Sequence, residues 1–166
     1  MVESVSISPN LGTVPIGIQY ALRAEAFYTD KTTRPLSNPT WSSSNPEIAR
    51  VSSTGRLFPY KAGSVNITVS GPEGRTATLN LDVSGAVLEE LTISPDPLNL
   101  SVGLQTALAA QGRFSDGSIM DLTEQVFWTS DEVNTVSVTD IGIAEGRKKG
   151  FTVILATAPN LSLIHI

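Results

Sequence analysis

A stretch carrying one tryptophan, Pro39-Thr40-Trp41-Ser42-Ser43-Ser44-Asn45-Pro46-Glu47-Ile48-Ala49-Arg50-Val51-Ser52-Ser53-Thr54-Gly55, recurs as Phe127-Trp128-Thr129-Ser130-Asp131-Glu132-Val133-Asn134-Thr135-Val136-Ser137-Val138-Thr139-Asp140-Ile141-Gly142. Each copy reads as a strand, a Ser/Asp/Asn turn and a second strand closed by glycine. Trp41 and Trp128 are the only two tryptophans in the sequence. The likeness extends beyond this stretch. Ile7, Pro9, Gly17, Gln19, Leu22, Ala24 and Asp30 match Ile93, Pro95, Gly103, Gln105, Leu108, Ala110 and Asp116, an offset of 93 − 7 = 86. From the tryptophans onward the offset is 128 − 41 = 87, and it holds for Val51/Val138, Gly55/Gly142, Gly63/Gly150 and Ile67/Ile154. A constant offset with a single slip marks a tandem duplication of one domain-sized unit, and such a period has to be recognised before any local reading. The expected boundaries are 1–85 for the first unit, 86–160 for the second and 161–166 for a tail.

Within each unit the periodicity is two. Leu22, Ala24, Ala26 and Tyr28 fall on one face of a strand expected over 19–28, with Arg23 and Glu25 on the other. The second copy keeps that face as Leu108, Ala110, Gly112 and Phe114. Small residues in mid-strand imply two sheets in close contact there. Val65, Ile67 and Val69 line the next inner face, matched by Thr152, Ile154 and Ala156, and Leu79, Leu81 and Val83 alternate with polar residues in a last strand. Residues 29–39 are polar and rich in Thr, Ser, Asn and Pro, as a loop requires. No segment has a helical period. Short strands bounded by Gly, Pro, Asn and Ser turns predict an all-β fold of two sandwiches. The expected core is Trp41, Trp128, Leu22, Leu108, Val51, Val138, Ile67 and Ile154. The junction around Ser84-Gly85-Ala86 is short, which restricts relative tilt and predicts an extended arrangement.

Composition narrows the function. The sequence has no cysteine, so apolar packing must hold each small core. A net charge of −5 argues against nucleic acid as a partner. Arg147-Lys148-Lys149, the one basic cluster, sits between glycines as a solvated turn. No apolar run approaches the ~20 residues that span a bilayer, and residues 1–4 have neither the basic start nor the apolar run of a secretory signal. The only histidine is His165, so no serine has a credible base for nucleophilic catalysis. Glu89-Glu90 and Asp131-Glu132 are sequence neighbours, which a regular strand sends to opposite faces. The residues do not support an enzyme or a cofactor. One loop offers hard oxygens of the kind calcium prefers, from Asp116, Ser118 and Asp121. The plainer reading of Asp116-Gly117-Ser118 is an Asp-Gly turn. Phe27 faces away from the inner row, either as an exposed aromatic or packed beneath a neighbouring loop.

The motifs Ser6-Ile7-Ser8-Pro9, Gly17-Ile18-Gln19 with its copy Gly103-Leu104-Gln105, the Thr40-to-Val51 run, and Lys61-Ala62-Gly63-Ser64-Val65-Asn66-Ile67-Thr68 resemble the bacterial immunoglobulin-like domain of group 2 (Big2), as found in intimin- and invasin-like surface proteins. The likeness covers nearly all of 1–84 and most of 91–157. It implies two tandem immunoglobulin-like β-sandwiches from an extracellular or cell-surface bacterial protein. There the pair would serve as a non-catalytic spacer or stalk, with neighbouring immunoglobulin-like domains of its own chain as partners. The alternatives are a module that binds host matrix protein or glycan, and an accessory domain of a secreted carbohydrate-active enzyme. The second unit departs from the pattern in lacking its last strand, whose counterpart of residues 79–83 would fall at 166–170. That leaves an unpaired edge at Val153, Ile154 and Leu155. The tail, Leu161-Ser162-Leu163-Ile164-His165-Ile166, looks like an in-frame translation of a sequencing adaptor and is expected to be non-native.

Overall fold

Alternating side chains become strands throughout the computed structural model, which describes residues 1–158. The chain divides into one unit, Met1–Gly85, and a second that starts at Ala86. The expected non-native tail, 161–166, lies outside the described residues.

The first unit runs β1 (Val2–Ser8), β2 (Thr13–Pro15), β3 (Tyr20–Ala21), β4 (Arg23–Tyr28), β5 (Thr33–Pro35), β6 (Thr40–Ser43), β7 (Ala49–Val51), β8 (Arg56–Pro59), β9 (Gly63–Ser70) and β10 (Thr76–Ser84). One layer is the sheet β2-β10-β9-β6; the other is built from β1-β4-β5 and β3-β8-β7. β9 and β10 pair antiparallel over eight positions, from Thr76↔Ser70 to Val83↔Gly63. Their inner side chains, Val65, Ile67, Val69, Leu79, Leu81 and Val83, are all buried. The outer face is a row of polar pairs, with Thr68 and Thr78 hydroxyls 3.1 Å apart and Ser64 Oγ donating to Asp82 Oδ1 at 2.6 Å. Small residues opposite this face let the layers close. Ala24 and Ala26 of β4 pack with Val2, Leu36 and Val69 in one buried cluster, against which Trp41 lies.

The single strand expected over 19–28 is two strands in different sheets. β3 pairs with β8 and β4 with β1, and between them the Leu22 N–H donates to Gly55 O at 2.8 Å. The alternation is unbroken, so the inner face stays inner while the hydrogen-bonding edge changes partner. The loop expected over 29–39 also contains a strand, β5, whose residues are exposed on both faces and which pairs with β4.

The second unit repeats the plan as β11 (Leu88–Ser94), β12 (Gln105–Ala107), β13 (Ala109–Phe114), β14 (Ile119–Asp121), β15 (Phe127–Ser130), β16 (Val136–Val138), β17 (Ile143–Gly146) and β18 (Ile154–Thr157). Its sheets are β11-β13-β14, β12-β17-β16 and β15-β18. The sheet switch recurs at Leu108, whose N–H donates to Gly142 O at 2.7 Å. Leu91, Ala110, Phe114, Leu122 and Ala144 are buried here. β18 corresponds to β9, and among the described residues no strand follows it.

Candidate functional site

Of the residues expected in the core, Leu22, Ile67, Leu108 and Trp128 are buried. Trp41, Val51, Val138 and Ile154 are half-buried. Each indole lies against the glycine that closes the following hairpin. A Cβ on Gly55 would collide with the Leu22 carbonyl oxygen and meet Trp41 Cζ2 at 3.2 Å; on Gly142 it would meet Leu108 O at 3.0 Å and Trp128 Cε2 at 3.3 Å. Both glycines also hold positive φ, +81° and +78°, a region costly for residues with a Cβ.

Asp116 and Asp121 each use one carboxylate oxygen to close their own turn. Asp116 Oδ1 accepts from Ser118 N (3.0 Å) and from Ser118 Oγ (2.6 Å), so the serine hydroxyl is turned onto the aspartate. Asp121 Oδ1 accepts in the same way from Thr123 N (2.9 Å) and Oγ1 (2.6 Å). These hydrogen bonds favour the ionised form and hold both carboxyls below the usual range. The first unit builds the same turn from Asp30 and Thr32. Among the described residues no three acidic or histidine side chains gather in one place.

The paired acids Glu89 and Glu90 correct a sequence expectation. A bulge between Leu88 and Glu90 shifts the register of β11 on β13, and both carboxylates reach Arg113, Glu89 at 2.9 Å to Nη1 and Glu90 at 2.9 Å to Nε. The first unit has the matching bulge between Val2 and Ser4. All three side chains are about half exposed, so the triad contributes little stability. Phe27 is half-buried, with Lys31 Nζ 5.4 Å from its ring centroid and bonded in turn to Glu3 at 3.4 Å. Residues 147–149 are exposed, and the Arg147 and Lys148 amides donate to Thr135 O.

One concave feature stands apart from these turns. In the second unit a cleft of about 450 Å³ is lined by residues that include Ile93, Leu98, Leu100, Val136, Val153 and Ile154. Phe151 stands at its rim, fully exposed. The sequence leads one to expect an unpaired edge at residues 153–155; it does not indicate that residues 95–100 line a cleft with them. Among the described residues no helix is long and apolar enough to cross a membrane.

Comparison with known proteins bears on this architecture directly. The model of the bacterial Ig-like domain (group 2) family matches residues 1–79. The first unit belongs to that family. The second carries the same motifs at the offsets given above, as a diverged copy of the first. The chain is 30% identical over 162 residues to ice-binding protein 1 of Shewanella frigidimarina, a match that takes in 95% of this chain and 18% of that protein. An uncharacterized protein of Clostridium acetobutylicum is 30% identical over 127 residues, 76% of this chain and 13% of its own length. The chain thus spans less than a fifth of either relative. Among solved structures, domains 5–6 of the S-layer protein SbsC match at a TM-score of 0.50 and 16% identity, covering 97% of this chain and 99% of that one. SbsC domains 4–9 match at 0.51 and 16% identity, over 95% and 31%. At that identity the likeness shows the fold alone.

Proposed function

We propose that this tandem of group 2 Ig-like domains is a non-catalytic stalk or spacer module of a bacterial surface or secreted protein, with adjoining Ig-like domains as its partners. The observation that supports this reading most is the commitment of its polar side chains. Asp30, Asp116 and Asp121 each close their own turn, Glu89 and Glu90 neutralise Arg113, and the outer face of β9 and β10 pairs its hydroxyls across the ladder. Such a surface specifies and solvates a fold without converging on a substrate. The ice-binding relative is a much longer protein, and the match takes in 18% of it. Immobilised chain, challenged with matrix proteins and a glycan array, tests the reading. No saturable binding is expected. Saturable binding to a matrix protein or a glycan would replace the spacer reading with an adhesive one.

A further inference from the structure

The outer face of β3-β8-β7 in the first unit is basic and aromatic. Leu57 and Pro59 of β8 are buried, so Arg56 and Phe58 alternate outward. Arg50 of β7 stands opposite Phe58 in the register, and its guanidinium lies 5.5 Å from the ring centroid of exposed Tyr60. Lys61 follows, also exposed. Arg50 Nε donates to Pro46 O at 3.2 Å and Arg56 Nη1 to Gln19 Oε1 at 3.4 Å, contacts that position both guanidiniums without neutralising them. Lys31, Arg34, Arg113 and Arg147 each meet a carboxylate. Among the described residues no carboxylate, Glu47 on the neighbouring turn included, pairs with Arg50, Arg56 or Lys61.

The repeat shows that the fold does not require this face. At the offset of 87 the second unit has Ser137, Ile143 and Glu145 where the first has Arg50, Arg56 and Phe58. The second unit has diverged the other way, with exposed Asp131, Glu132 and Asp140 where the first has Ser44, Asn45 and Ser53. Those three acids also lack an ion pair among the described residues. The charge balance is 7 − 6 = +1 over residues 1–85 and 4 − 10 = −6 over 86–166. One fold thus carries opposite charge in its two copies.

We propose that the face holding Arg50, Arg56 and Tyr60 binds the acidic turns of a second copy of this chain, those with Asp131, Glu132 and Asp140. This rests on the spacer reading, in which Ig-like domains are the partners, and names the surface that engages them. Arginine and tyrosine join charge to apolar area and are enriched where protein interfaces concentrate their energy. A guanidinium already held against a ring loses little freedom on binding. The two halves of the contact differ, so each copy keeps one of them free and association can continue beyond a dimer.

Sedimentation velocity of the full chain tests this. At ~20 mM salt, where screening is weak, the weight-average mass should rise with concentration past that of a dimer, and at ~500 mM it should return to the monomer. Arg50→Glu with Arg56→Glu should weaken association ~10-fold or more, as should Asp131→Lys with Glu132→Lys. An equimolar mixture of the two variants should restore it, because each then offers the other a complement. A monomer at low salt, association that strengthens with salt, or variants that associate like the parent would overturn the proposal. So would a chain that stays monomeric while this face takes up a polyuronate. Only that last outcome also counts against the spacer reading; a monomer that binds nothing leaves it standing.

Discussion

The indole Nε1 of Trp128 donates a 2.9 Å hydrogen bond to the carbonyl of Thr123. Its counterpart Trp41 buries the same donor with no acceptor. The difference traces to the one-residue slip in the repeat. Residues 123–127 separate Leu122 from Trp128, and only residues 37–40 separate Leu36 from Trp41. The extra residue lets the chain turn back, with Gln125 N and Val126 N donating to Leu122 O, and this brings Thr123 O beneath the ring.

Replacing each tryptophan by phenylalanine should therefore have unequal effects. Both variants lose volume, but Trp128→Phe also strands a carbonyl, whereas Trp41→Phe removes a donor that was unsatisfied. Trp128→Phe is expected to cost its unit about 1–2 kcal/mol more than Trp41→Phe costs the first. Native-state hydrogen exchange on the full chain reads the two units separately. Equal losses would show that the bond to Thr123 contributes nothing net.

Gly55→Ala and Gly142→Ala should each destabilise by about 2–4 kcal/mol, because strain from positive φ adds to a clash with a carbonyl and an indole. Gly117→Ala serves as the control. Its φ is +82° with nothing near the added Cβ, so only the conformational cost of about 1–2 kcal/mol applies. Denaturant midpoints of the three variants should rank accordingly, with Gly117→Ala closest to the parent.

Tyr20 is buried with its hydroxyl unpaired, and desolvation pushes its phenol up to about 12. The unfolded phenol ionises near pH ~10. Between these values the unfolded state has lost the proton and the folded state keeps it, so unfolding gains on folding as pH rises. This contribution to the first unit is full below about pH 10 and disappears as pH rises through about 12. All three tyrosines lie in that unit, which makes absorbance at alkaline pH a direct readout. Tyr20→Phe should abolish the steep final phase of the titration; its persistence would assign that phase to Tyr28 or Tyr60.

Asp116 and Asp121 have depressed carboxyls, and the sign is opposite. Their stabilisation is present above the ordinary carboxylate range and is lost as pH falls through the lower folded values. Because each Oδ1 already accepts two hydrogen bonds, millimolar calcium is expected to leave the melting temperature of the second unit unchanged. A saturable rise, absent in Asp116→Ala, would reinstate these residues as a cation site.

Most strands were legible because alternation is a local signal. Leu79, Leu81 and Val83 turn inward by period alone, and the two tryptophans locate β6 and β15. The features that escaped are set by partners remote in sequence. Nothing between Gln19 and Tyr28 marks Leu22 as the residue that exchanges β8 for β1, since Gly55 supplies the carbonyl. The bulge at Leu88 that sends Glu89 and Glu90 to one guanidinium leaves no mark in composition. β5 lacks apolar alternation because both its faces meet solvent. The part played by residues 95–100 in lining the cleft depends on how the chain crosses between β11 and β12.

The parallel pairing of β2 with β10 joins a strand near the start of the first unit to its last one, through Thr13↔Asp82, Val14↔Val83 and Pro15↔Ser84. Tension applied to the two ends of this unit would drag these strands past each other lengthwise, loading their hydrogen bonds in shear, all at once. The second unit has no such ladder among its described residues. When a single molecule is stretched, it should yield at a lower force than the first.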